Sequence, residues 1–187
     1  MSQGRPRDAT IDDAARHAAR ELLIEVGWEG LTLSAVADRA KVSRPALYRR
    51  WPTKTHLVFD TLFGWAEDVL PKELDQSSQE WLESAVEIGF ALFADPAVRA
   101  GTPGLLAAIA SDDEMRSVLW GRAGQPAVDR VGQYIEGDDD EQRRATALAV
   151  LAVLAGAPLF LSLFAGESDA PQTRAVISAL LSSIVQR

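Results

Sequence analysis

The residues from Leu31 to Lys54, LTLSAVADRAKVSRPALYRRWPTK, constrain the fold more than any other stretch. Thr32 has a side chain suited to capping a helix, and Leu33, Val36, Ala37 and Ala40 follow at spacings of three and four, giving one apolar face. Ser43 repeats the capping signal. Pro45 falls in the first turn after it, where a missing N–H leaves no helical hydrogen bond unmade. Lys41, Val42 and Ser43 remain as a three-residue turn with Val42 as its buried pin, the proportions of a helix-turn-helix.

The second helix of this pair sorts its residues by face. Ala46, Leu47 and Trp51 lie about one turn apart and are expected to pack inward. Arg44 with Tyr48, and Pro45 with Arg49, are i,i+4 pairs and share the opposite face. Two guanidiniums and a phenol near a helix N-terminus suit base edges in a major groove and phosphate oxygens. Taken singly, each is equally at home on a solvated face; the ordered set favours DNA. Lys54 follows at the start of the next helix.

The stretch resembles the tetracycline-repressor-like (TetR) transcriptional regulators. The resemblance rests on Gly27-Trp28-Glu29-Gly30-Leu31-Thr32, Val36-Ala37, Ala40-Lys41-Val42-Ser43 and Leu47-Tyr48-Arg49-Arg50-Trp51-Pro52-Thr53-Lys54, about 25 contiguous residues in the family's order. Lys41 stands where the turn usually has Gly, and Arg50-Trp51 where His-Phe is commonest. The resemblance implies Arg44 and Arg49 as base readers, with Pro45 and Ala46 against thymine methyls. Thr32, Ser34, Tyr48 and Lys54 become phosphate clamps, and Ser43 joins the DNA-facing set. Arg50 reads, clamps or packs.

The formal net charge of −8 is divided unevenly. Residues 1–56 hold ten Lys/Arg against seven Asp/Glu, a surplus of +3, while the remainder carries −11. The basic surplus sits with the motif, and the rest is repelled by phosphate. The chain has no cysteine and two scattered histidines, so thiolate chemistry and a nucleophile–base constellation are excluded. We expect no enzyme, no cofactor and no metal. The N-terminus lacks an apolar secretory segment, which favours the cytoplasm.

Arg5 and Arg7, beside Gly4 and Pro6, form either a minor-groove arm or an ordinary solubilising tail. The first helix is expected from an N-cap at Thr10, burying Ile11, Ala15, Ala18, Leu22 and Val26, and ending at Gly27. His17 and His56 read as solvated. A fourth helix runs from about Thr53 to Leu70. Ser77 with Glu80, and Ser111 with Glu114, read as capping boxes. Asp95-Pro96 opens a further helix, Gly101-Thr102-Pro103-Gly104 interrupts it, and Gly121, Gly124 and Pro126 break the next. Trp65, Trp81, Phe90, Phe93, Met115 and Trp120 are candidates for lining a cavity for a small hydrophobic or aromatic effector, with core packing as the plainer alternative.

The run Asp138-Asp139-Asp140-Glu141 lacks the spaced oxygens of a calcium loop and reads as an acidic helix start. Ala145 to Gly166 is 22 residues without a charge, long enough to span a membrane. Its alanines, Gly156 and Pro158 favour a helix buried against protein, so no membrane partner is expected. The last helix, from Asp169 to Arg187, places Val176, Ile177, Leu180, Leu181 and Ile184 on one side. These two helices are expected to pair with a second copy's. The reading is an all-α protein of about nine helices: a three-helix DNA-binding lobe over 1–52, then an effector-binding and dimerising body over 53–187. Such a chain would bind a palindromic operator as a homodimer, most simply as a repressor. The alternative is a helical sensor or carrier whose DNA motif no longer functions.

Overall fold

The computed structural model describes residues 9–64, 78–135, 139–164 and 170–185. In chain order its α-helices are α1 (Ala9–Gly30), α2 (Leu33–Ala40), α3 (Arg44–Arg50), α4 (Lys54–Phe63), α5 (Ser78–Ala94), α6 (Pro96–Ala110), α7 (Asp113–Leu119), α8 (Gln125–Gly132), α9 (Asp140–Phe164) and α10 (Ala170–Val185). A π-helical turn, Trp120–Gly124, joins α7 to α8. Counted as one run, that segment brings the total to nine helices among the described residues, with no strand. The chain divides into two compact units, one of residues up to 65 with 100–111, the other of 66–99 with 112–187.

In the first unit α1 buries Ala15, Ala18, Ala19, Leu22 and Leu23. Ile11 is only half-buried, and Val26, expected inside, is 50% exposed. The reason follows one residue later. Gly27 takes φ 67° and ψ −174°, which bends the chain and lays Val26 over Gly30. Thr10 lies within the helix, which already includes Ala9.

The caps of α2 and α3 are those the sequence announces, and Thr53, expected as the start of the fourth helix, caps α4. Thr32 Oγ1 accepts from Ala35 N at 3.1 Å, Ser43 Oγ from Ala46 N at 3.4 Å, and Thr53 Oγ1 from His56 N at 3.4 Å. His56 also meets Thr53 Oγ1 through Nδ1 at 2.9 Å, so it is a half-buried part of the cap and not the solvated residue expected. Between α2 and α3, Lys41 is left-handed (φ 55°, ψ 37°). Its N–H reaches Asp38 O, and Val42 N reaches Ala37 O at 3.0 Å, the two-bond closure usually built on glycine. Val42 is half-buried. α6 passes through the expected interruption. Pro103 is exposed and removes one helical hydrogen bond, while Gly101, Thr102 and Leu105 stay buried.

The second unit has a core of Trp81, Leu82, Val86 and Phe90 from α5, Val128 and Val131 from α8, Ala147, Val150 and Leu154 from α9, and Ile177 and Leu181 from α10. Asp112, not Ser111, caps α7, its Oδ1 accepting from Met115 N at 2.9 Å. Ser111 Oγ instead donates to Ala108 O. The expected break at Gly121, Gly124 and Pro126 is the π turn, and Pro126 sits in the first turn of α8 where it is tolerated. Asp139 Oδ1 accepts from Glu141 N and Gln142 N, which makes the acidic run a helix start. The Ser77 end of the other capping box lies outside the described residues, as does Asp169.

α9 is long and apolar enough to cross a membrane by length and composition; against the expectation of a buried helix, only 22% of its apolar window is buried, through residues such as Ala147, Val150, Leu154 and Pro158, while Leu148, Phe160, Leu163 and Phe164 are exposed. Pro158 has no N–H to offer the carbonyl of Leu154, four residues back. Gly89 of α5 packs against that same carbonyl: a Cβ added at 89 would lie 2.7 Å from Leu154 O and 3.3 Å from Pro158 Cγ. Backbone meets backbone there, and neither can swing aside. Gly89→Ala should therefore destabilise the protein by about 1–3 kcal/mol. The check is urea unfolding, with a lower midpoint at unchanged slope.

Candidate nucleic-acid interface

α3 exposes Arg44, Pro45, Tyr48 and Arg49 and buries Leu47, with Trp51 closing it at 1% exposure. Leu47 and Trp51 are four residues apart and anchor one face, which obliges the two i,i+4 pairs to face solvent. Ala46 is half-buried at the boundary. Tyr48 is 47% exposed. Thr32 and Ser43 are exposed, and Ser34 is half-buried at the start of α2. The two capping hydroxyls spend an oxygen lone pair on a backbone N–H, which leaves the O–H of each as a donor for phosphate.

Arg44 carries a partner that the sequence did not suggest. Its Nη2 donates to Asp38 Oδ2 at 3.0 Å across the turn, with both side chains more than half exposed. The pair is solvated and weak, so a phosphate or a base edge can displace the carboxylate. Glu25 and Arg39 form a second such bridge, between α1 and α2, at 2.6 Å; hydrogen bonding to the guanidinium holds the Glu25 carboxyl below its ordinary value.

Two members of the expected DNA-facing set turn inward. Lys54 is half-buried, donating through Nζ to Trp28 O at 2.9 Å and lying 4.4 Å from the centre of the Trp28 ring. An ammonium held by a carbonyl and an aromatic face ties α4 to the end of α1, a contact that the expectation of a phosphate clamp did not include. Arg50 is 10% exposed and donates through Nε to Asp12 at 2.5 Å and through Nη1 to Ala46 O at 3.3 Å. It packs. Beside it, Trp51 Nε1 donates to Asp60 Oδ2 at 3.0 Å, and Arg16 Nη1 reaches the same oxygen at 3.4 Å. Arg5 and Arg7 lie outside the described residues.

Among the described residues the aromatic set is divided between packed core and surface. Trp81 is fully buried and stacks on Tyr134 at 4.5 Å, and Phe90 closes the same packed core with the Arg174 guanidinium 4.6 Å over its ring. Phe93 is buried at 6% exposure, Met115 is half-buried, and Trp120 is 43% exposed on the π turn. Trp65 lies outside the described residues. A cavity of about 520 Å³ in the second unit is lined instead by Val128, Gly132, Ile135, Asp140, Arg143 and Arg144 among others, without an aromatic. Aromatic residues at helical spacing serve core and cavity alike, and only packing tells them apart.

A sequence profile of bacterial regulatory proteins of the tetR family matches residues 16–61, which runs from α1 through the turn into α4. An uncharacterized HTH-type transcriptional regulator of Bacillus subtilis, YdeS, is 39% identical over 69 residues, 37% of this chain and 35% of that protein. One from Mycobacterium tuberculosis is 38% identical over 66 residues, 35% of each. The matches thus span about a third of the relatives' length. Among solved structures, a TetR-family regulator of Streptomyces coelicolor superposes over all of both chains with a TM-score of 0.64 at 19% identity. TetR of Acinetobacter baumannii, solved with minocycline, gives 0.57 at 23% identity over 93% of each chain. Residues 16–61 are thus similar in sequence to the tetR family of bacterial regulatory proteins, and the fold is similar to that of TetR-family structures over the whole length.

Proposed function

We propose that the chain is a homodimeric, sequence-specific DNA-binding regulator, a repressor released from a palindromic operator by a small apolar or aromatic effector. The observation that carries the reading is the outer face of α3, where Arg44, Pro45, Tyr48 and Arg49 are exposed together while Leu47 and Trp51 are buried behind them. Arg44 and Arg49 read bases; Thr32, Ser34, Ser43 and Tyr48 hold phosphates; Pro45 and Ala46 meet thymine methyls. Two copies would set their α3 helices about 34 Å apart in successive major grooves.

Dimerisation is supported by α9 and α10, which leave Leu148, Phe160, Phe164, Val176 and Leu180 exposed at 46–75%. So much apolar surface on two adjacent helices suits a partner's equivalent pair better than water. A partner's helices also account for the apolar length of α9 without a membrane, in keeping with a DNA reader that works in the cytoplasm. For the effector, the support comes from relatives of this fold: one similar structure is a flavonoid-responsive regulator (TM-score 0.61, 20% identity), another holds minocycline. An effector that favours a state with the wrong separation of α3 helices lowers DNA affinity by its differential affinity for the two states. The Lys41 departure that motivates a sensor without DNA binding leaves the turn's hydrogen bonds in place.

Fluorescence anisotropy with the chain's own upstream intergenic duplex and a scrambled control, at two salt concentrations, tests the central reading. Saturable binding of one dimer to the upstream duplex alone, kept at the higher salt, is the expected result; equal binding and joint release by salt sinks it. In the same assay Arg44→Ala should relax the preference at one base pair with a loss of about 1–3 kcal/mol. Asp38→Ala should instead raise affinity for both duplexes by about two- to fivefold, the scale of a released surface pair plus one lost repulsion. Sedimentation at micromolar protein should give a dimer, and Leu180→Glu with Phe160→Glu should return it to monomer.

A further inference from the structure

We propose that the buried Asp12–Arg50 ion pair sets the roll of α3 about its own axis, which makes Asp12, buried in α1 and not on the exposed face of α3, a positioning residue for sequence reading. The inference rests on the DNA-binding reading above and adds a residue to it.

α3 has seven residues, about two turns, and a helix that short has no orientation of its own. Its apolar anchors are Leu47 and Trp51, at 0% and 1% exposure. Apolar packing is non-directional, and the one directional bond of these anchors, Trp51 Nε1 to Asp60 Oδ2 at 3.0 Å, is made by the residue after the helix, so within α3 itself the roll is left to other contacts. Arg50 is fixed by direction. Its Nε donates to Asp12 of α1 at 2.5 Å while Nη1 donates to Ala46 O of α3 itself at 3.3 Å. One planar guanidinium therefore couples the last turn of α3 to the first turn of α1. Both side chains of the pair are about nine-tenths buried, at 10% and 9% exposure, so water does not loosen the geometry.

The consequence for reading is geometric. Arg49 and Tyr48 directly precede Arg50, and a side-chain tip lies roughly 6 Å from a helix axis. A roll of about 20° would move such a tip by about 2 Å, more than a hydrogen bond to a base edge tolerates. Phosphate contacts through long flexible side chains tolerate it better. Loss of the pair should therefore damage discrimination before it damages non-specific binding. A buried ion pair is a poor source of stability and a good source of specific geometry, which agrees with finding one here.

The test compares the full-length chain with Asp12→Asn, Arg50→Gln and the double variant, using anisotropy on the upstream and scrambled duplexes over a salt series. Thermal melts by circular dichroism run alongside. Each single variant should lose at least tenfold in affinity for the upstream duplex and stay within about threefold on the scrambled one. The double variant should be no worse than either single, and the salt slope should not change. Loss on both duplexes alike, with a slope reduced by about one in Arg50→Gln alone, would mean that Arg50 touches phosphate and would overturn the proposal. Unchanged discrimination in a destabilised Asp12→Asn would reduce the pair to structure and overturn it too. If the single variants do not fold, Asp12→Leu with Arg50→Met replaces the pair by apolar packing: a restored melt with discrimination still lost supports the proposal, and restored discrimination defeats it. Equal binding of both duplexes by the unaltered chain removes the DNA-binding reading itself, and this inference with it.

Discussion

The face of α3 that points to solvent is determined by what its other face can bury. Leu47 and Trp51 give the helix its hold, and both lie at or near zero exposure. Trp51 stands where the family most often has Phe, and the larger ring brings an N–H that must be satisfied inside. Asp60 of α4 accepts it, and Arg16 of α1 in turn approaches the same carboxylate oxygen. The buried carboxylate of Asp60 thus serves the indole N–H and has a guanidinium as counterion. With Arg50 held by Asp12, the last turn of α3 and the residue after it are tied by carboxylates to both neighbouring long helices. The guanidiniums that remain outside are those nothing inside has claimed.

This logic marks what the sequence could and could not disclose. Caps at Thr32 and Ser43 were legible because donor and acceptor are three residues apart, and the exposed pairs of α3 because they are four apart. Asp12–Arg50 spans 38 residues and Lys54–Trp28 spans 26, and no local pattern reports partners at such separations. Arg50 and Lys54 therefore looked available for DNA when each was already engaged. The aromatics failed for a related reason: Trp81 and Trp120 share a residue type and a helical setting, but one lies at the centre of a core and the other on a surface turn. Gly and Pro misled in the other direction. At 101–104 and 121–126 they suggested breaks, while the burial of Leu105, Leu119 and Val128 keeps the chain helical through both.

In the second unit proline and glycine act together. Pro158 frees a carbonyl in the middle of α9, and the place where that carbonyl surfaces is the place where α5 presents Gly89, bare of a side chain. A helix defect on one element has become a close contact with another, and a Cα hydrogen is the only group small enough to stand there. The residues beyond the first 56 carry a net −11, a charge that disfavours their approach to a phosphate backbone.

The π turn at Trp120–Gly124 has a consequence for chain length. Nine residues of straight α-helix, at about 100° each, would set Leu119 and Val128 on opposite sides. Both are buried, and the wider turn between them takes back roughly one residue's worth of rotation. Whether this segment keeps its apolar stripe thus depends on counting, not on chemistry. A single-residue deletion inside the turn would leave every side chain acceptable where it stands and still rotate α8 by a quarter turn or so against α9. The segment tolerates substitution at exposed Gly121 and Arg122 far more readily than it tolerates a change in its number of residues.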